Sequence, residues 1–383
     1  MVRASLDRSW PYYTNSCLVW VFILATELFH KPIVGFWLVY AVIPVIDQVI
    51  AWDDVNPTPE EEKVLKNQLR WKFPIFAYVF SEWFAVFWAM HLVNREELGL
   101  IDTVVMILFV AHTSAIGFLI AHELFHKRDW FGKLVGTLDM LKSLYMHFYD
   151  EHLYGHHKYV ATPEDPATAK KGQSLYNFIP NAIRASFLHT WERQVTSLRK
   201  EGKSEWSLQN RLIMCLSVEV GFTLLILVAL GLKSFLVFVV QALLSVFLLE
   251  TINYIRHYGL ARKETEPGVY EKVTIKHSWN APQYVQNLFL LKLQRHSDHH
   301  AYSFKPYQIL SSYPESPCLP CGYAVCVIAA LFPKTWFAMI DPLVDATNAN
   351  GKPSKDQMEQ STSVLHGFLT KQACLMTALL ILV

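Results

Sequence analysis

Residues 101–126 read IDTVVMILFVAHTSAIGFLIAHELFH, and this stretch decides the fold class of the chain. Its first part, 101–121, is mostly apolar over about the 20 residues that a helix needs to cross the hydrocarbon core of a bilayer. It then ends in His122 and His126, which are four residues apart and therefore share one face of a helix. The pattern predicts a transmembrane helix that presents two imidazoles at one surface of the membrane.

The whole chain has the composition of a membrane protein. Of its 383 residues, 52% are hydrophobic and 14% are aromatic, which is above the usual share of a soluble domain. The 34 basic and 33 acidic residues give a formal net charge of +1. Because such a chain has no overall field that attracts polyanions, we expect no nucleic-acid partner.

Six apolar stretches of this length predict an all-α integral membrane protein, a bundle of six transmembrane helices. They are 14–29, 33–51, 73–93, 101–121, 212–230 and 234–253. The final apolar segment, 368–383, is short for a span, and we expect a peripheral helix there.

The charges of the connections predict the orientation in the membrane. Six spans place both termini, the connection 53–72 and the long stretch 127–211 on one side. By the positive-inside rule that side is cytoplasmic. We interpret 53–72, which contains Pro57, Pro59 and three consecutive glutamates, as a polar hinge. The cations counted on this side are Lys63, Lys66, Arg70, Lys72, Lys127, Arg128, Lys133, Lys142 and Lys158, against Lys31, Arg95 and Lys233 on the other.

Nine of the 16 histidines fall in four short windows near the cytoplasmic ends of the predicted spans. The windows are HELFH (122–126), EHLYGHH (151–157), NYIRHYG (253–259) and RHSDHH (295–300). Their histidines are His122, His126, His152, His156, His157, His257, His296, His299 and His300.

Helical spacing suggests how these imidazoles are directed. His152 and His156 are predicted to share a face, with His157 about 100° further round. Adjacent histidines diverge on a helix and can therefore serve two neighbouring metals, and nine ligands are too many for one site. Imidazole binds iron, zinc and copper, so residue type alone leaves the metal open. The number and position of the histidines favour iron.

Two parts of the pattern each leave an alternative open. HELFH alone also occurs in zinc metalloproteases, where Glu123 would be the general base, but that leaves most of the histidines unexplained. The carboxylates beside the histidines, Glu123, Glu151 and Asp298, either accept hydrogen bonds that orient the imidazoles or simply face solvent.

Together the motifs resemble the integral-membrane alkane hydroxylases, within the wider membrane desaturase and hydroxylase superfamily. The resemblance extends over about 34–342 and leaves 343–383 as a variable tail of a single integral-membrane domain, 1–383. It rests on these runs: HELFHK (122–127), HFYDEHLYGHHKYVATPEDPATA (147–169), NYIRHYGL (253–260) and LQRHSDHH (293–300).

The resemblance implies a specific chemistry. In that family nine histidines hold two irons that use O2 and electrons from a separate rubredoxin or ferredoxin, with its reductase, to hydroxylate a terminal methyl group. The hydrophobic substrate would enter from the membrane lipid, and a cationic rim (Lys127, Arg128, Lys158 and Arg295) could dock the electron carrier. Glu250, Asn253 and Asp165 match family positions beside the ligands.

One position departs from the family pattern. Many alkane hydroxylases have glutamate before the histidine of NYIRHYGL, and this chain has Arg256. The xylene monooxygenases also vary at this position, so a xylene-type hydroxylase remains an alternative. A fatty-acyl or lipid hydroxylase or desaturase is the other alternative.

Overall fold

The computed structural model describes residue 3 and residues 6–50, 52–127, 129–350 and 352–382, and it is mostly helical. The helices are α1 (Thr14–Phe29), α2 (Ile33–Trp37), α3 (Ile43–Val49), α4 (Pro59–Leu65), α5 (Phe73–Arg95), α6 (Leu100–Phe125), α7 (Trp130–Asp139), α8 (Phe148–Glu151), α9 (His157–Tyr159), α10 (Leu175–Lys200), α11 (Arg211–His257), α12 (Tyr284–Phe289), α13 (His296–Ala301), α14 (Tyr323–Ala330), α15 (Pro333–Asn350) and α16 (Lys355–Leu382). Two short strands, β1 (Glu264–Glu266) and β2 (Val269–Tyr270), form an antiparallel hairpin.

Six short helical turns complete the architecture of the described residues. Four are 3₁₀ turns, at Trp10–Tyr13, Leu69–Trp71, Met140–Ser143 and Tyr307–Ile309. The segment Leu38–Val42 joins α2 to α3 as a π-helical turn. A second π-helical turn, His152–His156, lies in a histidine window and is described below.

Three helical segments of the described chain are long and apolar enough to cross a membrane: Leu69–Arg95, Leu100–Phe125 and Arg211–His257. The third contains both the fifth and the sixth predicted spans. Gly231 interrupts it with φ 83° and ψ 177°, a conformation that is essentially restricted to glycine. The rings of Phe222 and Phe238 lie 5.6 Å apart, whereas 16 residues of straight helix would separate them by about 24 Å. The chain therefore reverses at Gly231, as the break between 230 and 234 predicted.

The first two apolar stretches pack against α6. The stretch 14–29 coincides with α1, and 33–51 is helical from Ile33 to Val49, with Ala51 outside the described residues. A Cβ on Gly35 would lie 2.5 Å from the ring of Phe109, so this glycine is what allows α2 to approach α6 so closely. Phe109 in turn stacks on Phe22 of α1 with ring centroids 3.7 Å apart.

The connection 53–72 differs from the polar hinge that the sequence predicted, because hydrogen bonds fix its first half. Thr58 caps α4 in a capping box with Glu61. The buried Asp53 carboxylate lies 3.0 Å from the guanidinium of Arg295, which also donates to the Asp53 and Leu310 carbonyls. Since Arg295 precedes His296, this connection positions a histidine window.

Two of the cations assigned to the cytoplasmic surface are instead buried. Arg295 is 2% exposed, so its place in a docking rim was wrong. Lys142 is fully buried between Glu82 of α5, at 3.1 Å, and Asp139 of α7, at 2.9 Å. A buried lysine needs such partners because an unpaired charge is costly away from water. The segment that follows α6 therefore folds back against the helices, and Arg128 lies outside the described residues.

The C-terminal region is a helical pair. Helix α16 packs on α15, where the Ser361 hydroxyl donates to the Met339 carbonyl and Leu365 is buried. The predicted terminal helix, 368–383, forms the end of α16 through Leu382, and Val383 lies outside the described residues.

Candidate metal centre

The four histidine windows meet at one end of α6 and α11, and their imidazoles form two groups. Within each group the ligand nitrogens all lie within 4.8 Å of one another. The first group has five members, His122, His126, His152, His157 and His299. The second has four, His156, His257, His296 and His300. All nine predicted histidines are thus brought together.

The distances between the nitrogens fit a shared metal ion. In the first group the His152 and His157 Nε2 atoms are 3.0 Å apart, and those of His157 and His299 are 3.1 Å apart. In the second group His296 Nε2 lies 3.0 Å from the Nε2 atoms of both His257 and His300. Two nitrogens bound at about 2.1 Å to one ion would be about 2.9–3.4 Å apart at bond angles of about 90–110°. Each group therefore has the spacing of a ligand set.

The second window contradicts the predicted pairing of His152 with His156. Residues His152–His156 form a π-helical turn, in which each turn holds more residues than in an α-helix. As a result His157, five residues after His152, turns back to the same group, and His156 joins the other group. The prediction assumed an α-helix, and the wider turn is the physical reason why it was wrong.

Adjacent histidines diverge as predicted. His156 and His157 belong to different groups, and so do His299 and His300. In the fourth window α13 is a regular helix, so His296 and His300, four residues apart, stay together. One short helix therefore supplies both groups.

Burial keeps these imidazoles in the form that binds metals. Removal from water, together with the neighbouring imidazoles, holds the pKa values of His152, His157 and His300 well below the usual range. They are therefore neutral at physiological pH, each with a free lone pair for a metal. Several buried ring nitrogens also lack a protein partner in the described chain, among them both nitrogens of His122.

Two of these histidines are oriented by hydrogen bonds from the ring nitrogen that faces away from the group. His156 Nδ1 lies 2.9 Å from the buried Asp165 carboxylate, which Thr168 holds in turn at 2.6 Å. His257 bonds to the backbone of His277, and its Nδ1 lies 3.5 Å from the Ser278 hydroxyl. Both arrangements leave Nε2 directed at the second group. Sequence reasoning found Asp165 but missed His277 and Ser278, because no spacing signal links that loop to α11.

The three carboxylates adjacent to the ligands have other partners. Glu123 bonds to Lys127 and to the Tyr307 backbone amide, at 3.3 Å for the latter. Asp298 accepts from the Ser311 amide at 2.8 Å and from the Tyr313 hydroxyl at 3.1 Å. These two carboxylates connect the histidine helices to surrounding loops.

Glu151 faces a different environment. It lies 3.7 Å from Arg193 and 3.9 Å from His189, and burial raises its pKa to about 8. It also borders a small cavity with Glu250, whose carboxylate accepts from the Tyr145 hydroxyl and the Asn253 amide. Glu250 and Asn253 therefore lie beside the histidines, with Glu250 bonded to both Asn253 and Tyr145.

A chamber opens between the two histidine groups and the helices above them. It is lined by His122, His152, His156 and His296 together with Asn253, Arg256 and the apolar residues Ala115, Phe118, Leu119, Phe148, Leu249 and Ile252. The polar part of the lining thus consists of the four histidines with Asn253 and Arg256, and the rest is apolar.

An apolar cavity adjoins this chamber and shares Ala115, Leu119 and Ile252 with it. Most of its remaining wall is aliphatic or aromatic, from Leu18, Val39, Ile43, Ile116, Leu248, Phe289, Leu290, Ala324 and Val327, with Tyr40, His112, Gln286 and Tyr323 adding polar atoms. No sequence signal points to this cavity, since its wall comes from several distant helices.

Comparison with known proteins agrees with this geometry. The fatty acid desaturase family matches residues 102–314. The alkane 1-monooxygenase of Acinetobacter baylyi is 38% identical over 324 residues, which is 83% of this chain and 79% of that protein. Alkane 1-monooxygenase 1 of Pseudomonas aeruginosa is 38% identical over 348 residues, 88% of this chain and 90% of that protein. The chain belongs to the alkane 1-monooxygenase family. It is therefore an oxidoreductase of the monooxygenase class, and a membrane protein.

A more distant relative is the xylene/toluene monooxygenase hydroxylase component XylM of Pseudomonas putida, which is 28% identical over 226 residues, 58% of each chain. Within this alkane 1-monooxygenase family member, the matched region 102–314 contains all nine histidines. Part of the apolar cavity wall, including Leu18, Tyr40 and Val327, lies outside it. The two histidine groups thus lie wholly within the shared desaturase region, and the cavity extends beyond it.

Proposed function

We propose that this chain is a di-iron monooxygenase that hydroxylates the terminal methyl group of a medium-chain alkane to a 1-alkanol. The observation that carries the proposal is the apolar cavity that adjoins a chamber lined by histidines of both groups. The alkane 1-monooxygenases of Acinetobacter baylyi and Pseudomonas aeruginosa, named for this reaction, support it.

The two histidine groups would each hold one iron. His122, His126, His152, His157 and His299 would bind the first, and His156, His257, His296 and His300 the second. When bound, a pair of irons supplies the means to activate O2 for attack on an unactivated C–H bond. Glu250, Asn253, Asp165, Glu151, Glu123 and Asp298 would support the ligands from outside, with Asp165 in direct contact with His156.

The protein's own contribution is placement and dryness. An alkane offers no polar group to bind, so the cavity must hold it through apolar contact and the shape of its walls. Ala115, Leu119 and Ile252 border both spaces, so a methyl group that passes them reaches the histidines. The apolar walls exclude water from the reacting carbon.

We also propose the predicted topology of six spans with the metal centre on the cytoplasmic side. Support comes from the three long apolar helices, from the reversal at Gly231, and from α1 and the helical run that follows it. Substrate would then enter from the bilayer, between helices. Phe84 and Phe87 of α5 are exposed on the outer surface and would belong to the lipid-facing side.

Electrons would come from a separate rubredoxin or ferredoxin with its reductase. With Arg295 buried and Lys127 paired with Glu123, the exposed Lys158 is what remains of the predicted docking rim among the described residues. A docking surface for an acidic carrier would therefore have to include cations beyond the four that were predicted.

A zinc metalloprotease is disfavoured by the surroundings of Glu123. In such an enzyme this glutamate would face the metal-bound water, but here it bonds to Lys127 and the Tyr307 backbone. Three further histidines also join His122 and His126. XylM-type hydroxylation of an alkyl aromatic and acyl-lipid oxidation use the same kind of centre, and substrate feeding separates them.

The test is product analysis with metal analysis. Cells that express the chain with an electron donor are fed an alkane, a xylene and an acyl lipid, and products are separated by gas chromatography. We expect the 1-alkanol as the main product and about two irons per purified chain. One zinc and no iron would refute the proposal. A main product from xylene or the lipid would mean that this compound, and not the alkane, is the substrate.

A variant tests the ligand set. His257→Ala should abolish hydroxylation while the protein stays folded in membranes, because its Nε2 lies 3.0 Å from that of His296 at the centre of the second group. Full activity in this variant would remove His257 from the ligands.

A further inference from the structure

Arg256 is a buried cation that the proposed reaction does not use. It lies next to His257 at the end of α11, is 6% exposed, and lines the chamber together with His122, His152 and His296. In the part of the chain that the structure describes, its Nη2 atom has no hydrogen-bond partner. A strong donor is therefore left unsatisfied at the wall of the chamber.

The contacts of Arg256 fix the guanidinium without neutralising it. Its Nε donates to the Tyr323 hydroxyl at 3.1 Å, and its Cζ lies 5.1 Å from the centre of the Tyr323 ring. No carboxylate among the described residues lies within 4.0 Å of the guanidinium. Tyr323 is neutral, so the positive charge has no counter-ion in the protein.

Such an arrangement calls for an anionic ligand. A buried charge without a partner is unfavourable, and a guanidinium presents donors in a fork that matches a carboxylate. If the two irons of the proposed function are present, their charge adds to that of Arg256 and strengthens the demand for an anion. The chemistry therefore points to an oxygen anion in the chamber.

The apolar surroundings indicate that this anion carries an alkyl chain. Tyr323, which holds the guanidinium, also lines the apolar cavity, and Ile252, one helical turn before Arg256, lines both spaces. The guanidinium thus lies where the cavity meets the chamber. A ligand with a carboxylate at Arg256 can place its alkyl chain in the cavity.

We propose that Arg256 and Tyr323 form a carboxylate site that binds a medium-chain fatty acid, with its carboxylate at the guanidinium and its alkyl chain in the apolar cavity. This inference rests on the proposed function, because it uses the same cavity as the alkane. Bound in this direction, the fatty acid presents its carboxyl end, not its methyl end, to the histidines. It therefore competes with the alkane for one space.

The test measures equilibrium binding with the full iron-loaded chain in detergent micelles. Tritiated decanoate is displaced by unlabelled decanoate, decanol and formate. We expect decanoate to bind more tightly than decanol, which lacks the charge, and more tightly than formate, which lacks the tail. In Arg256→Gln the affinity for decanoate should fall about 10- to 100-fold, since a hydrogen-bonded charge pair is lost, with a much smaller change for decanol.

Three further measurements keep the test decisive. Arg184→Gln makes the same change at an exposed position of α10 and should leave the decanoate-to-decanol ratio unchanged. Arg256→Lys keeps the charge without the fork and should give an intermediate ratio; it replaces the glutamine variant if that variant fails to fold. Iron content and decane hydroxylation are measured on the same preparations.

Two results would overturn the inference: a decanoate-to-decanol ratio that Arg256→Gln does not change, or formate binding as tightly as decanoate, which would indicate a small-anion site only. Failure of the proposed function would look different. It would appear as wild-type protein without iron or without decane hydroxylation, whatever the decanoate affinity.

Discussion

Two histidine windows share the same spacing but arrange their side chains differently. His122 and His126 lie four residues apart on α6, a regular α-helix, and both belong to the first group. His152 and His156 are also four apart, but the π-helical turn sends them to different groups. The same interval in sequence thus places both histidines in one group in the first window and in two groups in the second.

The difference shows what a ligand spacing depends on. An interval of four residues places two side chains on one face only if each turn holds about 3.6 residues. A single wide turn changes the partner from the fourth residue to the fifth, as it does for His152 and His157. π-helical turns are frequently found at functional sites, and here the turn lets one short segment reach both groups.

The largest effect is expected from removing pairs of histidines. His152→Ala with His157→Ala takes two ligands from the first group, so half of the iron should become easy to remove by a chelator while the other half stays as resistant as in the wild type. His152→Ala with His156→Ala takes one ligand from each group, so all of the iron should become easier to remove by the chelator. Both pairs should lower hydroxylation by more than about 100-fold, beyond the usual effect of losing a residue that only orients a ligand.

The measurement is iron retained during timed chelation. His91→Ala, at an exposed position of α5, serves as the control for histidine loss in general. Suppose instead that the first pair made all of the iron easy to remove and the second pair only half of it. His152 and His156 would then belong to the same group, which contradicts the grouping that the π-helical turn produces.

A smaller effect is expected at Asp165, which orients a ligand of the second group alone. Asp165→Asn removes the charge that holds His156 Nδ1 at 2.9 Å and should lower iron affinity or activity about 10- to 100-fold. The iron that becomes easier to remove should be the half that stays resistant to chelation in the double variant His152→Ala, His157→Ala. The neighbouring exposed Glu164→Gln is the matched control. Loss from the first group instead would contradict the assignment of His156.

The smallest effect is expected at Ser278, beside another ligand of the same group. Its hydroxyl lies 3.5 Å from His257 Nδ1, a long contact, and His257 also bonds to the His277 backbone. Ser278→Ala should therefore change iron affinity by less than about threefold. Titration of iron into the metal-free protein measures it. A loss as large as that of Asp165→Asn would show that the hydroxyl, and not the backbone, orients His257.

Much of the histidine site could be predicted from the sequence because it depends on residue type and short-range spacing. The nine histidines, the membrane character and the break near Gly231 all follow from residue type and short-range spacing. Positions that depend on contacts between distant segments were predicted less well. Arg295 and Lys142 were predicted to be surface cations. In the structure they are buried, where Arg295 pairs with Asp53 and Lys142 with Glu82, each from a distant part of the chain.

The sequence by itself determined the helical membrane character of the chain, the identity of the nine clustered histidines and the family, because apolar length and imidazole spacing are properties of short segments. Only the tertiary structure decided which histidine belongs to which group, where the apolar cavity meets the chamber, and that Arg256 faces that chamber without a counter-ion. The physical reason is that these features depend on the type of one helical turn and on side chains from helices far apart in sequence. Neither leaves a periodic signal in the chain.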